Sequence, residues 1–147
     1  MDANRYRRMT NTANKFVAGL QRLGIAFGPM QLLTVRGRRT GRLLTFPIAV
    51  IELDSGRYIF QAFPKAAWVS NVRAADTVTL TRGRKSSTAR LVELPVDQRG
   101  PVLRSLVSTS PSSVGNRFVT TGLAPAPTPD AVSASADRIA VFRVEPA

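Results

Sequence analysis

The stretch LLTVRGRRTGRLLTFPI, residues 32–48, reads as a strand, a tight basic turn and a second strand. Apolar side chains alternate on both flanks, and the centre is a cluster of glycine and arginine. Arg36, Arg38, Arg39 and Arg42 crowd around Gly37 and Gly41, with the Thr40 hydroxyl between them. Glycine lets the backbone bend sharply and come close to a ligand. Arginine presents a planar fork of donors that matches phosphate or carboxylate oxygens. The residues therefore describe either an anion site on the rim of a sheet or a solvated basic hairpin.

Working outward, residues 5–27 repeat apolar side chains at three- and four-residue steps: Tyr6, Met9, Phe16, Leu20, Leu23 and Phe27. Gly28-Pro29 stops that helix. Its apolar face either packs on the sheet or lies on an anionic membrane, with Arg7, Arg8, Lys15 and Arg22 towards lipid phosphates. After the basic turn, 43–53 reads as one long strand, Asp54-Ser55-Gly56 as a hairpin turn, and 57–63 as the return. A short helix over 64–75, strands over 77–81 and 86–94, and a helix over 98–107 capped by Asp97 follow. Residues 111–136, rich in Ser, Thr, Pro and Ala, show no periodicity and read as a long excursion able to act as a lid. Residues 139–144 close the sheet. The expected fold is mainly β with flanking helices: a six-stranded small barrel in one domain, residues 1–147, with the N-terminal helix over 1–28 and the barrel over 29–147.

Composition narrows the chemistry. The chain has 147 residues and neither Cys nor His. That removes disulfides, thiolate nucleophiles, Cys/His metal sites and a histidine base, and with them the Ser-His-Asp hydrolases. Nine acidic residues leave little for a carboxylate metal cage, so no metal site and no catalytic side chain is assigned. If the chain is an enzyme, a bound cofactor carries the reaction. A net charge of +12 calls for an anionic partner. Nucleic acid is the generic one, but no exposed aromatic platform or helix-turn-helix supports it. Three lysines against eighteen arginines can also reflect codon usage. No apolar run approaches the roughly 20 residues that span a bilayer, and the N-terminus lacks a signal-peptide core, so a cytoplasmic protein is expected. Peripheral contact with the inner face of the membrane is the variant of that reading.

The run Gly37-Arg38-Arg39-Thr40-Gly41, with Pro47 and Ile48 downstream, resembles the signature of the deazaflavin-dependent nitroreductase and oxidoreductase family, roughly T-x-G-R-[KR]-[ST]-G followed by a proline. Trp68-Val69-Ser70-Asn71-Val72 is similar to the family's W-x-x-N-[LV] run, and RIAVFRVEP, residues 138–146, to its closing strand. The resemblance implies a split β-barrel and the coenzyme F-420, an 8-hydroxy-5-deazaflavin with a phosphodiester and a glutamate tail. It also implies that Arg38, Arg39, Thr40 and Gly41 line the phosphate and tail, with Pro47, Ile48, Lys65 and Trp68 nearer the ring. Read by themselves, Lys65 is a solvated loop lysine, Trp68 a core anchor and Asn71 a helix-end residue. The chain departs from nitro-reducing members in having Leu44 in place of an arginine, and Phe63-Pro64-Lys65-Ala66-Ala67 in place of a longer glycine-containing loop.

The expected function is hydride transfer from the reduced coenzyme to a small electrophilic acceptor, a quinone, enone or nitro compound. The alternative is a non-catalytic protein on the same fold, in which Phe46, Phe60, Phe63 and Trp68 take a fatty acyl chain and Arg38 and Arg39 meet its carboxylate.

Overall fold

The computed structural model describes residues 30–147, and the expected N-terminal helix lies outside them. β1 (Met30–Arg36) and β2 (Leu43–Ala49) form the basic hairpin, in register from Met30 opposite Ala49 to Arg36 opposite Leu43. After them come β3 (Ile51–Leu53), β4 (Gly56–Phe60), α1 (Ala67–Ala74), β5 (Val78–Arg82), β6 (Lys85–Glu93) and α2 (Val96–Thr109). The chain continues through α3 (Ser112–Thr120), α4 (Pro129–Ala134) and a 3-10 turn (Ala136–Arg138) to β7 (Val141–Pro146).

The strands form one antiparallel sheet in the order β2-β1-β5-β6-β7-β4-β3. The sequence reading expected six strands; the described residues form seven because the run 43–53 breaks at Val50. That break decides the shape. β2 and β3 are opposite edges of the sheet, yet only Val50 lies between them. In a flat seven-stranded sheet the edges would be roughly 29 Å apart, at about 4.8 Å per strand. The two peptide steps from Ala49 to Ile51 reach at most about 7 Å. The sheet must curl until its edges meet, and the result is a half-barrel. Pro47 has no amide hydrogen to give a ladder, and it is tolerated because β2 is an edge.

Alternation along the strands divides the apolar side chains between two faces. Leu33, Val35, Ile48, Val50, Ile59, Leu80, Phe142 and Val144 join Trp68, Val69 and Val72 of α1 in one core. Tyr58 and Val141, one residue out of step with Ile59 and Phe142, belong to a second core with Leu103, Leu106, Phe118, Leu123 and Val132 of the helical layer. Burial of a large apolar side chain stabilises by about 1.5–3 kcal/mol, so both cores are substantial.

Several boundaries differ from the sequence reading. β4 ends at Phe60, because Gln61 turns its side chain to the backbone: Nε2 donates to the Phe63 carbonyl and Oε1 accepts from the Ala140 amide. α1 starts at Ala67, after the Pro64-Lys65 turn. Pro95, not Asp97, is the N-cap of α2, and Asp97 stands in its first turn, where a carboxylate still complements the helix dipole. The largest correction is 111–136. It is no structureless lid but two helices tied into the second core. Thr128 Oγ1 accepts from the Ala131 amide and caps α4, and Arg104 of α2 pairs with Asp130 of α4. Gly115 lies so near the Pro127 carbonyl that a β-carbon would not fit. Among the described residues no helix is long and apolar enough to cross a membrane.

Candidate anion-binding site

The basic turn is built by short local bonds. The Gly37 amide donates to the Arg42 carbonyl at 2.7 Å, and the Gly41 amide to the Gly37 carbonyl at 2.9 Å. Arg36 Nη1 donates to the Gly41 carbonyl at 2.7 Å, so this arginine is partly spent on holding the loop. Thr40 Oγ1 accepts from the Arg42 amide at 3.3 Å, which leaves its hydroxyl proton to donate outward. Gly41 has φ of 72°, a left-handed backbone that glycine adopts without strain.

Arg38 is braced from the side. Its amide, at 3.2 Å, and its Nη1, at 2.9 Å, both donate to Asn71 Oδ1. Asn71 is only 2% exposed, and both its partners are donors, which fixes the oxygen towards them. The Arg38 guanidinium stays exposed but is held at one corner. Among the described residues, no carboxylate forms an ion pair with Arg36, Arg38, Arg39 or Arg42, and the amides of Arg39 and Thr40 have no acceptor. Two consecutive free amides at a turn form a concavity suited to an anion.

A cleft of about 490 Å³ opens here, lined by Arg36, Gly37, Arg38 and Gly41 on one side and Ala74, Ala75, Asp76 and Thr77 on the other. Asp76 is its one carboxylate. The structure thus brings Arg38, Arg39, Thr40 and Gly41 to one turn. Pro47 and Ile48 lie farther along β2, with Ile48 buried in the first core. Lys65 is exposed before α1 with φ of 55°, unusual for a side-chain-bearing residue. Trp68 is 9% exposed and stacks obliquely on Phe142, with ring centroids 5.5 Å apart. Sequence reasoning put Asn71 at a helix end and missed its tie to Arg38. The W-x-x-N spacing marked the residue, but its partner lies 33 positions away. The cleft wall at Asp76 and Thr77 carried no sequence signal. Among the described residues no group of acidic side chains could hold a metal.

The acyl-binding alternative loses its pocket. Phe46 and Phe63 pack with Trp68 in the first core, whereas Phe60 belongs to the second, so the four rings do not share one cavity.

The protein Atu2129, of unknown function, from Agrobacterium tumefaciens str. C58 superposes with a TM-score of 0.53 at 10% identity; the match covers 88% of this chain and 53% of that one, so this chain spans about half its length. An F420-H2 dependent reductase (FDR-A) gives 0.52 at 23% identity over 80% of this chain and 94% of its own. HutZ, the heme storage protein of Vibrio cholerae, gives 0.51 at 11% identity over 81% and 82%. At such identities these likenesses establish the fold. No curated protein matches the sequence. The model of the F420H(2)-dependent quinone reductase family matches residues 5–123. The chain belongs to that family. As an F420H(2)-dependent quinone reductase family member, it takes coenzyme F-420 as its cofactor. The basic turn fits that group on its own chemistry: arginine forks without carboxylate partners and two free amides suit a phosphodiester and a run of glutamates.

Proposed function

We propose that this protein reduces a quinone-class acceptor at the expense of the reduced deazaflavin, with the basic turn holding the coenzyme's phosphate and tail. The observation that carries this reading is the Asn71-braced Arg38 lining the cleft, on a turn whose next two amides have no acceptor. When bound, the reduced coenzyme supplies a hydride, which with one proton converts quinone to quinol. Arg38, Arg39, Thr40 and Gly41 bind and orient the anionic end. Charge-assisted hydrogen bonds of this kind contribute about 1.5–3 kcal/mol each. Pro47, Ile48, Lys65 and Trp68 are assigned to the ring end; support comes from Ile48 and Trp68 sharing one core with Phe46 and Phe63 at its partly buried margin. That apolar margin excludes water from the reacting face. The chain has neither histidine nor cysteine to deliver the proton, which comes from solvent or from a hydroxyl such as Thr40 or Ser70.

Two measurements test the reading. Oxidised coenzyme should quench Trp68, the sole tryptophan, with flavin mononucleotide as control, and quinone should drive oxidation of the reduced coenzyme. Arg38→Ala with Arg39→Ala should weaken coenzyme affinity by about 2–4 kcal/mol at fixed salt. Fold stability should move by no more than about 1 kcal/mol, since both side chains are exposed and the Arg38 backbone amide still donates to Asn71 Oδ1 when the side chain is gone. No quenching well above micromolar coenzyme, or an unchanged affinity in the double variant, rejects the assignment of the turn.

A further inference from the structure

α1 is only eight residues long, and its N-cap Ala66 provides no side-chain bond. A helix of that length does not hold itself in water. Its core-facing side buries Trp68, Val69 and Val72. Asn71 and Arg73 flank Val72, one position to either side, so they project about 100° to each side of it. Asn71 reaches the basic turn. Arg73 reaches the opposite way, to Glu93 at the end of β6: Nε donates to Oε1 at 2.9 Å and Nη2 to Oε2 at 2.7 Å. The helix is therefore tethered on both flanks of Val72.

The Glu93 end of this strut is anchored. Arg99 of α2, with a side chain 9% exposed, donates from Nη2 to Glu93 Oε2 at 3.0 Å. Arg99 is held in turn by the Leu94 carbonyl at 2.9 Å and the Ala136 and Ile139 carbonyls at 3.1 and 3.4 Å. An isolated surface ion pair contributes little because both side chains lose freedom to form it. Here the carboxylate is already fixed from its buried side, and the Arg73 fork meets it with two bonds.

We infer that Arg73 and Glu93 are positioning residues for the coenzyme's anion site: they hold α1 in the rotation that keeps Asn71 Oδ1 against Arg38. The inference rests on the proposed role of the basic turn, but the tether itself has a consequence that needs no coenzyme. In the full-length protein, Arg73→Gln removes the charged fork and should speed hydrogen exchange of the Arg38 amide at least tenfold. The Leu33 amide in β1 should keep its rate, and Arg73→Lys should restore part of the protection. For the coenzyme, Arg73→Gln should raise Kd about tenfold, with the change appearing in the coenzyme KM rather than in kcat. In an Arg38→Ala background the same substitution should change Kd less than twofold, since the group it positions is gone.

Unchanged Arg38 exchange in Arg73→Gln overturns the tether. A full tenfold loss persisting in the Arg38→Ala background overturns its route through Arg38 and marks a general loosening instead. If the wild-type protein binds no coenzyme, the proposed function fails while the exchange measurement still decides the strut.

Discussion

Lys65 occupies a left-handed backbone position, φ 55°, that favours glycine. For a side-chain-bearing residue this costs roughly 1–2 kcal/mol, so something other than stability keeps a lysine there. Its charge, exposed at the N-terminal end of α1, is the candidate reason. Lys65→Gly should raise stability by about 1 kcal/mol in urea unfolding and at the same time weaken coenzyme binding. Lys65→Ala should weaken binding as much without the gain in stability. A glycine variant that is more stable and binds equally well would show the lysine to be idle. The same scale shows what the sequence made legible. The glycines and arginines of 36–42 announced a tight basic turn because their conformational and donor properties are local. The Asn71–Arg38 contact was invisible because it joins two elements 33 residues apart, and no spacing within either element encodes it.

Among the elements, α3 and α4 show how composition can hide a helix. Ser, Thr, Pro and Ala dominate residues 111–136, and the apolar side chains that anchor the segment, Phe118, Leu123 and Val132, are too sparse to make a period. What orders them is tertiary: a flat helix face at Gly115 against Pro127, and a cap at Thr128. Gly115→Ala is a sharp test. Alanine favours a helix over glycine by about 1 kcal/mol, yet its methyl would meet the Pro127 carbonyl with no room to shift. Overpacking should win, with a net loss of about 1–3 kcal/mol by denaturant midpoint. The Val50 break was hidden for a different reason: apolar character runs on through 46–51, and nothing local records that the chain leaves one edge of a sheet for the other.

For the whole molecule, a sequence without His or Cys has no side chain that ordinarily titrates between about pH 5 and 8. Among the described residues, the Arg73 guanidinium is raised above its ordinary value by the Glu93 hydrogen bond, against desolvation and with Coulombic help from the same carboxylate. A cation raised above its unfolded value contributes its full stability below that unfolded value and loses it only as pH rises through the folded one. For an arginine this window lies beyond the working range. Stability should therefore be flat from about pH 6 to 8 by thermal unfolding. Coenzyme affinity over the same interval should follow only the ligand's own ionisation.

The half-barrel also imposes an order in time. β7 lies between β6 and β4, and it alone joins the sheet portion β2-β1-β5-β6 to the portion β4-β3. Until Val141 and the strand after it leave the ribosome, the two portions share no ladder and meet only through the link at Val50. Both cores contain β7 side chains, Phe142 and Val144 in one and Val141 in the other, so neither can close earlier. Pairing over such long separations is slow, and for that interval the growing chain carries four unsatisfied strand edges. The eighteen arginines then have a role apart from any ligand: a strongly like-charged nascent chain repels its neighbours while its edges stand open.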